Sequence, residues 1–546
     1  MVGTCTGGLR KLAGCAAEQL RWLVEVMCGP GDEYSVVGPM IKEQVRSRKP
    51  SNALDIHTLM LCQDPGRSFT KVYKTTELLG RGGFGSVFRA RHLPTGEDRA
   101  IKVVPKPRSG LELRRLLTEV ELLIQLDHVN IEKFYEFFED QKLLCLVTEL
   151  CTGGNLGELD PTVDDWQEIR VLFRDVMSAV AYCHSEGVAH RDLKFENCLL
   201  TEPESARRRT AKVIDFGLSA IRPMGDTSER WMNEAVGTIF FVAPEVLKSD
   251  LGWSKYGPEC DMWSIGVMLF IVLTDQHPFA QSAASTANVV QRIRRSALRV
   301  SPLEEAGVDP VIQDLIVRLL CKDPTKRLQA RAALDHEWFQ NGPVTPTARE
   351  STQIQMRTIL NRVRSFAHFS RFERAVLTLV AHEAHNKEVE DLREAFNSLD
   401  RARQGWLTRD DFRSAVAARG FVISQEELAH LCDAIDPDGD DKIQYTDWLA
   451  ATIKPAALTS DRAIGELFNF FDIHSEGIVS RPDLVQVLGE EMANEVLANT
   501  QTDEQGNLTR DQFRTLMLDV ARHLQTQDRR VSRSYRNWLP HMTGHL

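Results

Sequence analysis

The chain has 546 residues, 42% hydrophobic and 26% charged, which suits a soluble globular protein of two or three domains. A formal net charge of −11 argues against a general nucleic-acid binder, and no run reaches the roughly 18 uncharged apolar residues needed to span a bilayer. The 11 cysteines are scattered without a C-x-x-C pair, a pattern of a reducing compartment rather than of a disulfide framework.

Residues 1–72 read as an N-terminal extension without a sharp motif. Within it, the run Leu9–Met27 is interrupted by Arg10, Lys11, Glu18, Arg21 and Glu25. It predicts an amphipathic helix that packs on the main body or lies on a membrane. Val2 excludes N-myristoylation, so peripheral membrane association of this otherwise cytoplasmic chain would fall to that helix or to acylation of Cys5 or Cys15.

From residue 73 onward, β-rich and helical patterns alternate, and helices dominate after Pro161. Gly80-Arg81-Gly82-Gly83-Phe84-Gly85-Ser86-Val87 fits G-x-G-x-x-G-x-V, where glycines let a hairpin backbone approach phosphate closely. Dinucleotide-binding folds use similar glycines but need a helix directly afterwards. Here Val87–Ala90 and Arg99–Val104 read as strands joined by a turn at Pro94–Gly96. The second strand carries Ala100-Ile101-Lys102, with Lys102 placed to grip α- and β-phosphates. A helix over Leu111–Gln125 offers Glu119 as the ion-pair partner of Lys102, with Glu121 the alternative.

The stretch His190-Arg191-Asp192-Leu193-Lys194-Phe195-Glu196-Asn197 carries the chemistry. Phosphoryl transfer needs positioning and charge neutralisation more than covalent help. Asp192 can accept a hydroxyl proton, Lys194 can neutralise the moving phosphoryl group, and Asn197 can hold a metal ion. Asp215-Phe216-Gly217 adds a second metal-binding carboxylate, and Ala243-Pro244-Glu245 closes the segment. In this order and spacing the elements resemble the eukaryotic protein kinase family over residues 73–339, extending to Asp261–Gly266 and Arg327.

That resemblance implies an α+β bilobal fold and transfer of the γ-phosphate of ATP, with Mg2+, to Ser or Thr of protein substrates. It implies a nucleotide pocket walled by Leu79, Gly80, Gly82, Gly85, Val87 and Ala100, a hinge at Glu149–Cys151, and Thr148 controlling access behind the adenine. Lys194 and Gly237-Thr238 are similar to serine/threonine rather than tyrosine kinases. In the family, an arginine placed like Arg191 often awaits an activation-segment phosphate. Thr227 and Ser228 offer hydroxyls there, while Glu234 offers a permanent carboxylate that would remove the need.

Residues 340–388 form a charged helical junction. Its Leu360-x-Arg362-x-x-Ser365 fits a hydrophobic–basic–hydroxyl pattern. Three readings stand: an autoinhibitory segment in the active site, an autophosphorylation site, or one face of a basic amphipathic helix.

Residues 389–520 repeat. Asp400, Asp436 and Asp472 each follow an apolar helical run at 36-residue intervals, and a related unit starts near Gln501. EF-hand loops take oxygen ligands at positions 1, 3, 5, 7, 9 and 12. The first loop has Ala402 and Gln404 at positions 3 and 5, the third His474 and Glu476, and the fourth keeps only Asp503. These three read as helix pairs that bind no calcium. The second keeps Asp436, Asp438 and Asp440, the Lys442 carbonyl, Gln444, and Asp447 at position 12. Asp441 replaces the turn glycine, and the short Asp447 weakens Ca2+ in favour of Mg2+.

Kinase, junction and repeats together resemble the calcium-dependent protein kinases of plants and apicomplexan-type protists over residues 73–517. This implies an all-α, calmodulin-like lobe with the junction helix as its intramolecular partner, and the departures in the loops predict a weak or partial calcium response. The alternative is a calcium-independent kinase whose repeat lobe is a docking module. Residues 521–546 read as a mobile basic tail, with Arg529-Arg530-Val531-Ser532 a second basophilic match.

Overall fold

The computed structural model describes Met40, Glu43 and residues 69–536, apart from 83–84, 107–109, 141, 161–165, 204–208, 224–225, 229, 233, 235, 250–254, 281–284, 341–347, 385–388, 402, 422 and 438. The candidate helix Leu9–Met27, Cys5, Cys15 and Asp438 lie outside the described residues.

Alternating apolar residues build the first layer. Strands β1 (Tyr73–Gly82), β2 (Gly85–His92), β3 (Asp98–Pro105), β4 (Phe134–Glu139) and β5 (Leu143–Thr148) form an antiparallel sheet of order β1-β2-β3-β5-β4. Ile101 and Val103 of β3 enter a small core with Phe88, Phe138 and Val147. The two-residue period therefore turns Ala100 and Lys102 to the opposite face. Register sets Lys102 opposite Val87 and Leu146, and Ala100 opposite Thr148. A Cβ on Gly85 would strike the Val103 carbonyl oxygen, so the hairpin tip admits no side chain there. Helix α1 (Leu111–Gln125) buries Leu116, Val120 and Leu123 in one core with Leu144 and Leu146.

A helical layer follows. Helix α2 (Trp166–Ser185) is amphipathic, whereas α3 (Glu259–Thr274) is buried on every side from Cys260 to Phe270, as a helix at the centre of a lobe must be. Arg327 locks this lobe by donating to both Glu245 oxygens, at 2.5 and 2.9 Å.

Junction and repeats form one helical body. Helix α4 (Ala348–Ala367) leads to α5 (Arg371–Glu383), whose start is fixed by a Ser370–Glu373 capping box. Leu407 and Ile443 of the first two loops exchange backbone hydrogen bonds of 3.0 and 2.9 Å, and Ile478–Val479 pairs with Leu508–Thr509. Helix α6 (Tyr445–Thr452) follows the second loop and α7 (Arg510–Arg536) the fourth. The tail read as mobile is therefore helical through residue 536, and α7 crosses position 520 without a break. Leu524 and Val531 find apolar cover, and Asp528 and His523 bond to Ser365 and Glu373.

The helical body rests on the kinase unit behind its cleft. His382 Nε2 donates to Phe134 O (2.8 Å), and Lys133 Nζ donates to Ala384 O (3.2 Å). Arg99 pairs with Glu383 (2.7 Å) and Lys442 with Glu186 (2.7 Å). These contacts grip both the sheet lobe and the helical lobe.

Candidate active site

Lys102 projects from β3 into the cleft, where its Nζ donates to Glu119 Oε1 at 2.5 Å and to Asp215 Oδ1 at 2.7 Å. Burial works against the ammonium, but the two carboxylates outweigh it and hold the pKa above the usual lysine range. Burial would likewise raise Asp215, yet Lys102 holds it below the ordinary carboxylate value. Glu119 is thus the partner. Glu121, two residues on, faces another side of α1.

Asp192 centres a second cluster. Lys194 Nζ donates to its Oδ2 (2.7 Å), Thr238 Oγ1 to its Oδ1 (2.8 Å), and Asn197 Nδ2 to its backbone carbonyl (2.8 Å). With Nδ2 so engaged, Asn197 would coordinate a metal ion through Oδ1. Together with the Asp215 carboxylate, one-third exposed, it makes the hard oxygen set that Mg2+ takes. The loop is held from below by Asp261, which accepts the His190 and Arg191 N–H groups (2.9 and 2.8 Å) and bonds His184 (2.9 Å).

The residues expected to wall the nucleotide fall on the same face. Val87, Ala100 and Thr148 are cross-strand neighbours of this face through the registers given above, Gly80 stands opposite Val87, and Gly82 opposite Gly85. Leu79 is 46% exposed on β1. At the hinge, Glu149 commits its side chain to Lys212 (2.7 Å), so its contribution to the cleft is a backbone one. Cys151 is half-buried, and burial pushes its thiol well above the ordinary value.

Glu234 reaches the catalytic loop. Its Oε2 lies 3.7 Å from Arg191 Nη1 and 3.4 Å from Arg115 Nη2 of α1, while Tyr256 OH donates to its carbonyl at 2.6 Å. Thr227 and Ser228 are exposed, and the Ser228 hydroxyl turns to Asp226. Arg115 had no sequence signal, since its partner lies 119 residues away.

The repeat loops are closed by their own side chains. Asp400, Asp436 and Asp472 each accept two backbone N–H groups of their own loop. At position 12, Asp411, Asp483 and Gln512 each accept from the hydroxyl three residues earlier, and Asp483 also bonds His474 Nδ1 at 2.8 Å. In the second loop, Asp441 adopts φ 64°, as its place in the turn requires. Asp440 accepts the Lys442 N–H, the Lys442 side chain leaves for Glu186 and the Trp406 ring, and Asp447 is buried. Among the described residues no set of three or more His, Cys, Asp or Glu is arranged to hold a metal ion.

Ser365 does not reach the active site. It is 1% exposed, and its hydroxyl bonds Asn361 O and Asp528. Arg362 donates to Thr452 O. Of the three readings of this stretch, the described arrangement is the amphipathic helix face, with Ile359, Leu360, Val363 and Phe366 buried.

This architecture defines a protein kinase joined to an EF-hand lobe. The protein kinase domain family matches residues 73–339, and the EF-hand domain pair matches residues 389–453. The chain is 30% identical to calcium-dependent protein kinase 32 of Arabidopsis thaliana over 491 residues, 87% of each protein. It is 30% identical to calcium-dependent protein kinase 20 of Oryza sativa subsp. japonica over 512 residues, covering 91% of this chain and 88% of that one. It is 28% identical to calcium-dependent protein kinase 4 of Plasmodium falciparum over 488 residues, covering 85% and 89%. The chain belongs to the calcium-dependent protein kinase family. It is a serine/threonine protein kinase that uses ATP and Mg2+ and is regulated by its C-terminal EF-hand lobe. No helix among the described residues is long and apolar enough to cross a membrane.

Proposed function

We propose that Asp192 is the base that receives the substrate hydroxyl's proton. The observation that carries this is the convergence of Lys194, Thr238 and Asn197 on Asp192, which orients its carboxylate. Lys194 neutralises the transferring phosphoryl group, and Lys102, held by Glu119, fixes the α- and β-phosphates. Asn197 and Asp215 would hold Mg2+, which would supply positive charge to offset that of the phosphates. Leu79, Gly80, Gly82, Gly85, Val87 and Ala100 enclose the nucleotide, with Thr148, Glu149 and Cys151 along the adenine. Phosphate transfer to a serine-containing protein by Lys102→Met tests the assignment: loss of transfer is expected, and wild-type rates would refute it.

The domain limits that accompany this reading are an extension to 72, kinase 73–339, junction 340–388, repeats 389–520 and tail 521–546. A cytoplasmic location accords with the described cysteines, all of which are free thiols. The junction helix α4 acts as an intramolecular ligand of the EF-hand lobe, a reading supported by its buried Ile359, Leu360, Val363 and Phe366. Calcium, where it acts, enters the second loop through Asp436, Asp438, Asp440, the Lys442 carbonyl and Asp447, and the response is weak. The alternative, a docking lobe without calcium control, is favoured by the other three loops, whose position-12 side chains cap their own helices. Titrating phosphate transfer with Ca2+ against chelator separates them. A response abolished by Asp436→Ala makes the second loop the sensor, and a flat response makes the lobe a docking module.

A further inference from the structure

Asp215 occupies the left-handed region, φ 64°. A non-glycine residue stays there only where its surroundings over-determine it. The preceding peptide is clasped on both sides: Ile214 N donates to Asn197 O and His190 Nε2 donates to Ile214 O, both at 3.0 Å. Lys102 holds the Asp215 carboxylate. The remaining fixed point is the Asp215 amide, which donates to Glu132 Oε1 at 2.8 Å.

Glu132 comes from the segment between α1 and β4. Its own N–H donates to Val213 O at 3.0 Å, and Val213 N donates to Asn130 O at 2.8 Å, so the segment is stitched to the chain that leads into Asp215. Its neighbours Ile131 and Phe134 belong to the apolar core. A carboxyl is a costly choice between them, and it needs a compensating hydrogen bond. Desolvation pushes the Glu132 carboxyl up to about 7, with Lys102, Asp215 and Glu119 the charged groups around it. An oxygen of either protonation state can accept the Asp215 amide.

We propose that Glu132 is a positioning residue for phosphoryl transfer, holding through the Asp215 amide the carboxylate that takes Mg2+. Nothing in the sequence marked it, because its partner lies 83 residues away. The same segment meets the EF-hand lobe through Lys133 and Phe134, so one short stretch touches both the regulatory lobe and the metal carboxylate. The inference rests on the reading of Asp215 as a metal ligand.

The test is ATP binding by the full chain, measured calorimetrically in EDTA and again in saturating Mg2+. Glu132→Leu is expected to keep its metal-free ATP affinity and to lose about tenfold of the gain that Mg2+ brings, the worth of one charge-assisted hydrogen bond. Glu132→Gln, which keeps an acceptor oxygen, is expected to stay within about twofold of wild type. A full Mg2+ gain in Glu132→Leu, or an equal loss in both variants, overturns the proposal. Asp215→Asn separates the two readings: if it leaves the Mg2+ gain intact, the ligand assignment itself has failed. Hydrogen exchange at the wild-type Asp215 amide requires no variant. Slow exchange is expected, and exchange at the rate of a free amide overturns the proposal.

Discussion

Asp127 of the kinase unit caps a helix of the EF-hand lobe: its carboxylate accepts both the backbone N–H (2.7 Å) and the hydroxyl (2.9 Å) of Thr446. Thr446 is in the first turn of α6, immediately before Asp447 of the second loop. The helix lacks a side-chain cap of its own, so the kinase satisfies donors that Gln444 does not. The geometry of the second loop and the docking of the lobe are therefore coupled through one residue pair.

Asp127→Ala removes that cap and should weaken docking by about 1–2 kcal/mol. Hydrogen exchange along α6 and β4 reports it, with faster exchange expected in both. Thr446→Val should give a similar effect, and the double variant no more than either alone. Unchanged exchange in Asp127→Ala would remove the pair from the account.

Glu234 joins Arg191 of the catalytic loop to Arg115 of α1, the helix that carries Glu119. A fixed carboxylate there would do the work of a phosphate without a modifying enzyme. Thr227→Ala with Ser228→Ala should leave phosphate transfer largely intact, whereas Glu234→Ala should lower it by roughly 10–100-fold. A collapse of activity in the double alanine variant would contradict this.

His128 is 6% exposed and stacks on Tyr182, with ring centroids 5.0 Å apart. Burial, with the Lys212 charge adding to it, drives its pKa from 6.5 down to about 3. Between those values the unfolded chain binds the extra proton, so this stabilisation is complete above about pH 6.5 and is lost as pH falls toward 3. At pH 5 the loss is about 2 kcal/mol. Denaturant unfolding of wild type and His128→Phe at several pH values checks it: the variant should show the shallower decline between pH 6.5 and 4, and parallel declines would sink the assignment.

The kinase elements were legible because their chemistry fixes local spacing. Lys102, Asp192, Asn197 and Asp215 stand in short motifs, and the strands over Val87–Ala90 and Arg99–Val104 appear within β2 and β3. Glu119 stood beside Glu121 as the alternative, and the contact with Lys102 decides for Glu119. What stayed hidden depends on long-range contacts: Asp127 with Thr446, Glu132 with Asp215, and Arg99 with Glu383, each 83 or more residues apart. The tail misled for the same reason. Its basic composition suggested mobility, but Leu524 and Val531 meet a surface that the local sequence does not contain. Of the three readings of Ser365, the local sequence could not favour the helix face, because its partner Asp528 lies 163 residues away.

The most direct measurement is the rate of phosphate transfer from ATP to a serine-containing protein by the wild-type full chain and by Asp192→Asn. The variant keeps the shape of the cluster around Lys194 and Thr238 but loses the proton acceptor. A fall of roughly 10²–10⁴-fold at unchanged ATP affinity is predicted. Equal rates in the two proteins would contradict the account.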